Sequence, residues 1–139
     1  MALPDKIYLE IVTPERHLFS GQVDEVTVPS NVGYLGILPG HAPLLGELGI
    51  GELSYKIGDR REYFFCSGGF LEVLPDRVVV LAQTAEKASE IDVDRAEQAK
   101  AQAMKLLLSK DPNTDYVGAQ ISLFQAIARL DAARHLQPR

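Results

Sequence analysis

Glycine and proline punctuate this chain as far as about Ala85 and then almost vanish. Beyond Glu86 alanine dominates and Gly118 is the one glycine left. Upstream, short runs with apolar residues at every second position lie between turn formers, the pattern of half-buried strands. Downstream, the residues suit helices, because alanine has the highest helix propensity and glycine the lowest of the ordinary residues. The chain is therefore expected to fold as a β-sandwich, a flattened antiparallel barrel, over residues 1–86. An antiparallel α-helical hairpin over 87–139 should follow.

In the first part, Ile7, Leu9 and Ile11 alternate with Tyr8, Glu10 and Val12, and Pro14 ends that strand. Phe19-Ser20-Gly21 reads as a turn, Gln22–Val28 as a strand, and Pro29-Ser30-Asn31 as a second turn. Gly49-Ile50-Gly51 reads as a break. Leu53, Tyr55 and Ile57 then alternate up to Gly58-Asp59, a two-residue hairpin signal of type II′. The return strand is Arg60–Cys66. Gly68-Gly69 permits a bend before a strand at Phe70–Leu74. Pro75-Asp76 suits a tight turn, and the β-branched run Val78–Leu81 suits a central strand.

In the second part, Asp92 is placed to cap a helix running from Val93 to about Leu108, with Asp94 in its first turn. Lys105 and Lys110 lie near the end of that helix, where cations complement its dipole. Pro112 stops it, Ser109–Asp115 is the loop, and Asp115 caps a helix from Tyr116 to about Leu136. Val117, Ile121, Phe124 and Ala128 make an apolar row on that helix, widened by Leu123, Ile127 and Leu130. Ala96, Ala99, Ala103, Ala119, Ala126 and Ala128 are expected to line the hairpin. A buried methyl contributes about 0.8 kcal/mol, against roughly 1.5–3 for a buried leucine or isoleucine. Such a hairpin packs closely, holds weakly, and is expected to detach or open without losing its helices.

The formal charge of −5 argues against a phosphate-contacting nucleic-acid binder. No apolar run has the length of a membrane span, and the first residues lack the character of a signal or transit peptide. Cys66, in YFFCSGGF, reads as a small buried hydrophobe in a reducing compartment. Cytoplasmic residence is the default expectation. No catalytic constellation is visible. His17, His41 and His135 lie far apart without metal spacing, and neither Gly-x-Ser-x-Gly nor a P-loop occurs. The pair Asp92 and Asp94 is explained by helix capping rather than by acid–base chemistry.

The stretch Gly33–Leu45, GYLGILPGHAPLL, combines three glycines and two prolines with a strongly apolar run. It reads as a strand entering the core, with Leu35, Ile37 and Leu38 buried, followed by the rigid turn Pro39–Pro43. Leu44 and Leu45 then return to the core. His41 is the one polar side chain of the turn. As a metal ligand it lacks neighbours at ligand spacing, and a histidine bonded to nearby backbone accounts for it better.

FSGQVDEVTVPSNVGYLGILPGHAPLL, GELSY, SGGFLEVLPDRVVVLAQTA and IDVDRA together closely resemble the epsilon-subunit family of bacterial and chloroplast F-type ATP synthases. The resemblance covers almost the whole chain, and the order of sandwich then hairpin fits it as well. It implies a non-catalytic central-stalk subunit whose sandwich binds the gamma subunit and the loops of the c-ring. The hairpin would be mobile: folded down on the sandwich, or extended along gamma into the alpha/beta head, where it blocks ATP hydrolysis. By resemblance, Ser30, Asn31, Val32, Tyr34 and His41 fall at the gamma and c-ring interface. Val32 and Tyr34 stand out there as an apolar pair in an otherwise polar turn.

By the same resemblance, Ile91, Asp92 and Arg95, with Arg129, fall at the family's nucleotide site; the residues by themselves equally suit Asp92 as a helix cap with Arg95 paired to it or to a neighbouring carboxylate. Tight-binding members carry further arginines where this chain has Gln102, Gly118 and Gln125, so ATP is expected to be a weak regulatory ligand, millimolar or none. No other cofactor is implied. Arg129, Arg134 and Arg139 would approach an acidic segment of the beta subunit in the inhibitory state. The implied location is peripheral, held to the cytoplasmic face of the inner membrane through the complex alone, or to the stromal thylakoid face in a chloroplast. The rival reading is a free-standing small-molecule-binding sandwich, with ATP or another small molecule held between hairpin and sheet. An enzyme ranks last for want of any nucleophile–base pair or metal set.

Overall fold

The computed structural model describes residues 3–136. Eight strands come first: β1 (Ile7–Val12), β2 (His17–Val23), β3 (Glu25–Ser30), β4 (Gly33–Ile37), β5 (Leu44–Glu47), β6 (Ile50–Ile57), β7 (Arg60–Leu74) and β8 (Arg77–Lys87). A 3-10 turn at Ala88–Glu90 leads to α1 (Val93–Leu107) and α2 (Tyr116–Arg134). The strands hydrogen-bond in the order β2-β1-β8-β7-β6-β3-β4, with β5 on β7. All pairs are antiparallel except β1 with β8, so the expected antiparallel sandwich contains one parallel pair.

β7 holds the two layers together. Its first half pairs with β6, from Arg60 to Ser67, and its second half pairs with β5, from Phe70 to Val73. Between the halves, Gly68 and Gly69 have φ of 72° and 114°. A Cβ on Gly69 would lie 2.1 Å from the Leu81 carbonyl oxygen, so only glycine fits where the strand turns the corner. The β6–β7 turn has Gly58 at φ 60°, and among the described residues none other than glycine has positive φ, which agrees with the expected type II′ hairpin.

Alternation decides what is buried. Ile7, Leu9, Ile11, Val26, Val28, Leu53, Phe64, Val73, Val78 and Val80 fill the sandwich interior. Cys66 lies among them, and burial pushes its thiol up to about 12, which makes it unreactive. Phe65 points the opposite way and is equally buried, because α2 covers that face of the sheet.

Several expected boundaries move. Phe19-Ser20-Gly21 is no turn but lies inside β2. The expected strand Gln22–Val28 breaks at Asp24, whose carboxylate accepts hydrogen bonds from the Gly58 amide at 2.7 Å and from Lys6. That corner carries the chain away from β1 to pair with β6 and β4. Pro29 and Ser30 finish β3, so the turn is Asn31-Val32. Ile50 and Gly51 belong to β6 rather than to a break. Leu38 and Leu45 are exposed, not buried, while Ile37 takes the core position and Leu44 packs against its edge.

Both helices start at the expected caps: Asp92 accepts from the Arg95 amide at 3.1 Å and Asp115 from the Gly118 amide at 2.9 Å. The packing of α2 differs from its apolar row. Ala119, Ala126, Ala128, Ala132 and Ala133 are buried, while Val117, Ile121 and Phe124 face solvent. Small side chains let α2 approach both α1 and the sheet closely, which turns the larger ones outward. Ala99, expected in the hairpin lining, is exposed, whereas Ala96 and Ala103 are buried.

Candidate functional site

Two surfaces stand out in the geometry: the joint between α2 and the sheet, and the apolar outer face of the sandwich. At the joint, Ala128 and Ala132 pack on Phe65, with Ile50, Tyr63 and Ile91 at the margin. Three polar contacts run along the same side of α2. Gln125 Nε2 donates to Ser67 Oγ at 3.1 Å. Arg129 Nε donates to Glu86 Oε1 at 2.6 Å, and the guanidinium lies 4.2 Å from the centre of the Phe65 ring. His135 Nε2 lies 2.9 Å from Glu52 Oε1, a carboxylate that only accepts, so this nitrogen carries the proton. The His135 ring also stacks on Tyr63, with centroids 3.5 Å apart. The joint is thus thin in buried methylenes and specified by hydrogen bonds.

Three of the four candidate nucleotide residues are spent on the fold itself. Ile91 packs at the edge of the Phe65 cluster, the Asp92 carboxylate caps α1, and Arg129 is paired with Glu86. The side chain of Arg95 makes no ion pair among the described residues. Gln125, at one of the positions where arginine would favour a triphosphate, bonds to Ser67 instead. Arg134 is exposed and pairs with Asp131 at 3.3 Å. Arg139 lies outside the described residues.

The five loop residues do not form one patch. Val32, 86% exposed, tips the β3–β4 turn. Ser30 Oγ braces that turn, accepting from the Val32 amide at 3.2 Å and donating to the Gly33 carbonyl at 2.5 Å. The Asn31 amide donates to the Glu47 carbonyl at 3.2 Å. The Tyr34 hydroxyl accepts from the Glu52 amide at 3.2 Å, lying over Gly51. His41 follows the other end of β4, a strand whose five residues, Gly33–Ile37, separate it from the Asn31-Val32 turn. Its Nδ1 donates to the Ala42 carbonyl at 2.7 Å, as a turn-bracing histidine does.

The outer face was not singled out from the sequence. Phe70, 62% exposed, stands opposite Leu81 across β7 and β8, and Leu45, 77% exposed, lies diagonal to it on β5. A groove of about 740 Å³ runs beside Phe70 and Leu81, closed by Pro14 and Leu48. The signal was present in Leu44-Leu45 and Phe70-Leu71. Adjacent strand residues point to opposite faces, so one member of each pair must leave the core. Among the described residues no helix is long and apolar enough to cross a membrane.

The model for the β-sandwich domain of the ATP synthase delta/epsilon chain matches residues 6–88, and the model for its long α-helix domain matches 89–134. The chain belongs to the ATP synthase epsilon family. The epsilon chain of Solibacter usitatus is 49% identical over 131 residues, 94% of this chain and 98% of that relative. That of Herpetosiphon aurantiacus is 48% identical over 128 residues, 92% and 94% of the two chains. Among solved structures, a chain of the Euglena gracilis mitochondrial ATP synthase OSCP/F1/c-ring assembly aligns with a TM-score of 0.84 and 26% identity. The alignment covers 97% of this chain and 85% of that one. A chain of the Tetrahymena thermophila central stalk and c-ring shares the fold at a TM-score of 0.64 and 15% identity, over 92% and 96% of the two chains. As an epsilon-family member, the chain is a rotor subunit of an F-type ATP synthase.

Proposed function

We propose that the sandwich couples c-ring rotation to the catalytic head by binding gamma, and that the hairpin is a mobile brake on ATP hydrolysis. In this reading residues 1–86 are the coupling unit and the moving one lies within 87–139. The observation that carries it is the α2 joint: alanine against Phe65, three polar contacts, and the larger apolar side chains facing outward. Two packings separated by a few kcal/mol need a joint of that kind. Extended, the hairpin would bring Val117, Ile121 and Phe124 against gamma or the alpha/beta head, with Arg129 freed from Glu86 and Arg134 near the acidic segment of beta.

The apolar face of Leu45, Phe70 and Leu81 supports a gamma-binding surface, since an exposed cluster of large apolar side chains marks an interface. Val32 at its turn supports contact with the c-ring loops, with Ser30, Asn31 and Tyr34 setting its shape. His41, at the opposite end of β4, serves the turn and contributes to contact from that end. The chain has no active site of its own in this reading. It associates with the cytoplasmic face of the membrane through the complex alone.

The test is gamma affinity by sedimentation. Phe70→Ser is expected to weaken binding by about 2 kcal/mol, roughly thirtyfold, as loss of a central aromatic anchor does. Val32→Ser with Tyr34→Ser is expected to leave gamma binding intact and to weaken c-ring attachment. Unchanged gamma affinity in Phe70→Ser would contradict the assignment of that face.

A further inference from the structure

We propose that the Arg16–Glu90 pair clamps the segment after β8 to the sandwich and sets the pivot of the helical hairpin at Ile91 and Asp92. The inference rests on the mobile hairpin proposed above and adds where it turns.

Arg16 lies in the turn between β1 and β2, which Thr13 braces. Thr13 Oγ1 accepts from the Glu15 and Arg16 amides at 3.3 and 3.2 Å, and the Thr13 amide donates to the Arg16 carbonyl at 2.9 Å. From this base the guanidinium grips Glu90 with both arms, Nη1 to Oε2 and Nη2 to Oε1, each at 2.8 Å. Nη2 also reaches the Ala85 carbonyl at 3.5 Å. Glu90 Oε1 accepts from the Lys87 amide at 3.0 Å, closing the 3-10 turn on itself. Two parallel N–H···O bonds fix direction as well as distance, which a lysine cannot do. Ala88, inside this turn, is buried against the Phe65 cluster. The Arg16 guanidinium and the Lys87 amide hold the Glu90 carboxyl down at about 2.

Immediately beyond the clamp the backbone is extended: φ −73°, ψ 127° at Ile91 and φ −81°, ψ 97° at Asp92. Helical bonding resumes with the Ala96 amide on the Asp92 carbonyl at 3.0 Å. Rotation at Ile91, or about the N–Cα bond of Asp92, keeps the Ala96 amide on the Asp92 carbonyl and the Arg95 amide on the Asp92 carboxylate, whereas rotation before Glu90 breaks the clamp. The hairpin therefore swings from a point fixed on the sandwich. Without the clamp the tether would begin at about Lys87 and gain four residues, roughly 14 Å of reach.

Residue-resolved native-state amide exchange on the full chain tests this, in wild type, Arg16→Ala and Arg16→Lys. In wild type the Lys87 amide should stay protected through the opening that exposes Ala126. Arg16→Ala should speed exchange at Lys87 roughly three- to tenfold and leave Val80 within about twofold. Arg16→Lys, which keeps the charge and loses the fork, should fall between. If Lys87 opens together with Ala126 in wild type, or if Arg16→Ala leaves Lys87 unchanged, the clamp is wrong while hairpin mobility stands. One shared opening free energy for Val80, Lys87 and Ala126 would overturn the mobile hairpin and the pivot together.

Discussion

Gly69 and Glu90 show how single residues set larger features of this molecule. Gly69 is where β7 passes from one layer to the other, with φ at 114° and the Leu81 carbonyl in the place of a side chain. Gly69→Ala is expected to cost about 3 kcal/mol or more in chemical denaturation, combining a disfavoured φ with a backbone clash. Glu90 gives an acid-sensitive contribution of defined sign. Its carboxyl is depressed from 4.5 to about 2, first by the Arg16 hydrogen bonds and then by the Lys87 amide. Its stabilisation is fully present above about pH 4.5 and is lost as pH falls through about 2. Wild type and Glu90→Gln should accordingly differ in stability at neutral pH and converge across that window. The pair is partly solvated, so the difference at neutral pH should be about 1 kcal/mol.

Elements are held by unequal means. The strands of the sandwich close over large apolar side chains, while α2 rests on alanines. Ala132 is fully buried against Phe65, so Ala132→Leu is expected to push α2 off the sheet by about 1–3 kcal/mol. Arg129→Ala should loosen the same joint by about 1–2 kcal/mol, with the loss of Glu86 pairing and Phe65 contact. Both effects should appear as faster amide exchange across α2 with β8 unchanged. The joint already engages Arg129 and Gln125, and calorimetry should find millimolar ATP binding or none. A micromolar constant would contradict this.

The helix caps at Asp92 and Asp115 and the Gly58-Asp59 hairpin were legible in the sequence because each depends on a few adjacent residues. The inward face of α2 was not, because the pattern favoured Val117, Ile121 and Phe124 and only the close approach of two neighbours selects the alanines. The β2–β3 corner at Asp24 was hidden for a related reason: its partners Lys6 and Gly58 are distant in sequence. The outer apolar face was written in Leu44-Leu45 and Phe70-Leu71, yet which member leaves the core depends on strand register.

In the whole molecule, a sandwich closed over large apolar side chains carries a lightly held hairpin, which suits the coupling and regulatory parts proposed above. The coupling part has its apolar face and its Val32 turn at separate places on one frame. In the proposed regulatory part, Gln125, Arg129 and His135 find their partners within the chain. The most direct test is ATP hydrolysis by the cognate catalytic complex, assembled with the full chain or with a version ending at Ala88. Truncation is expected to raise hydrolysis while assembly and ATP-driven proton pumping persist. Unchanged hydrolysis would contradict the inhibitory role of the hairpin.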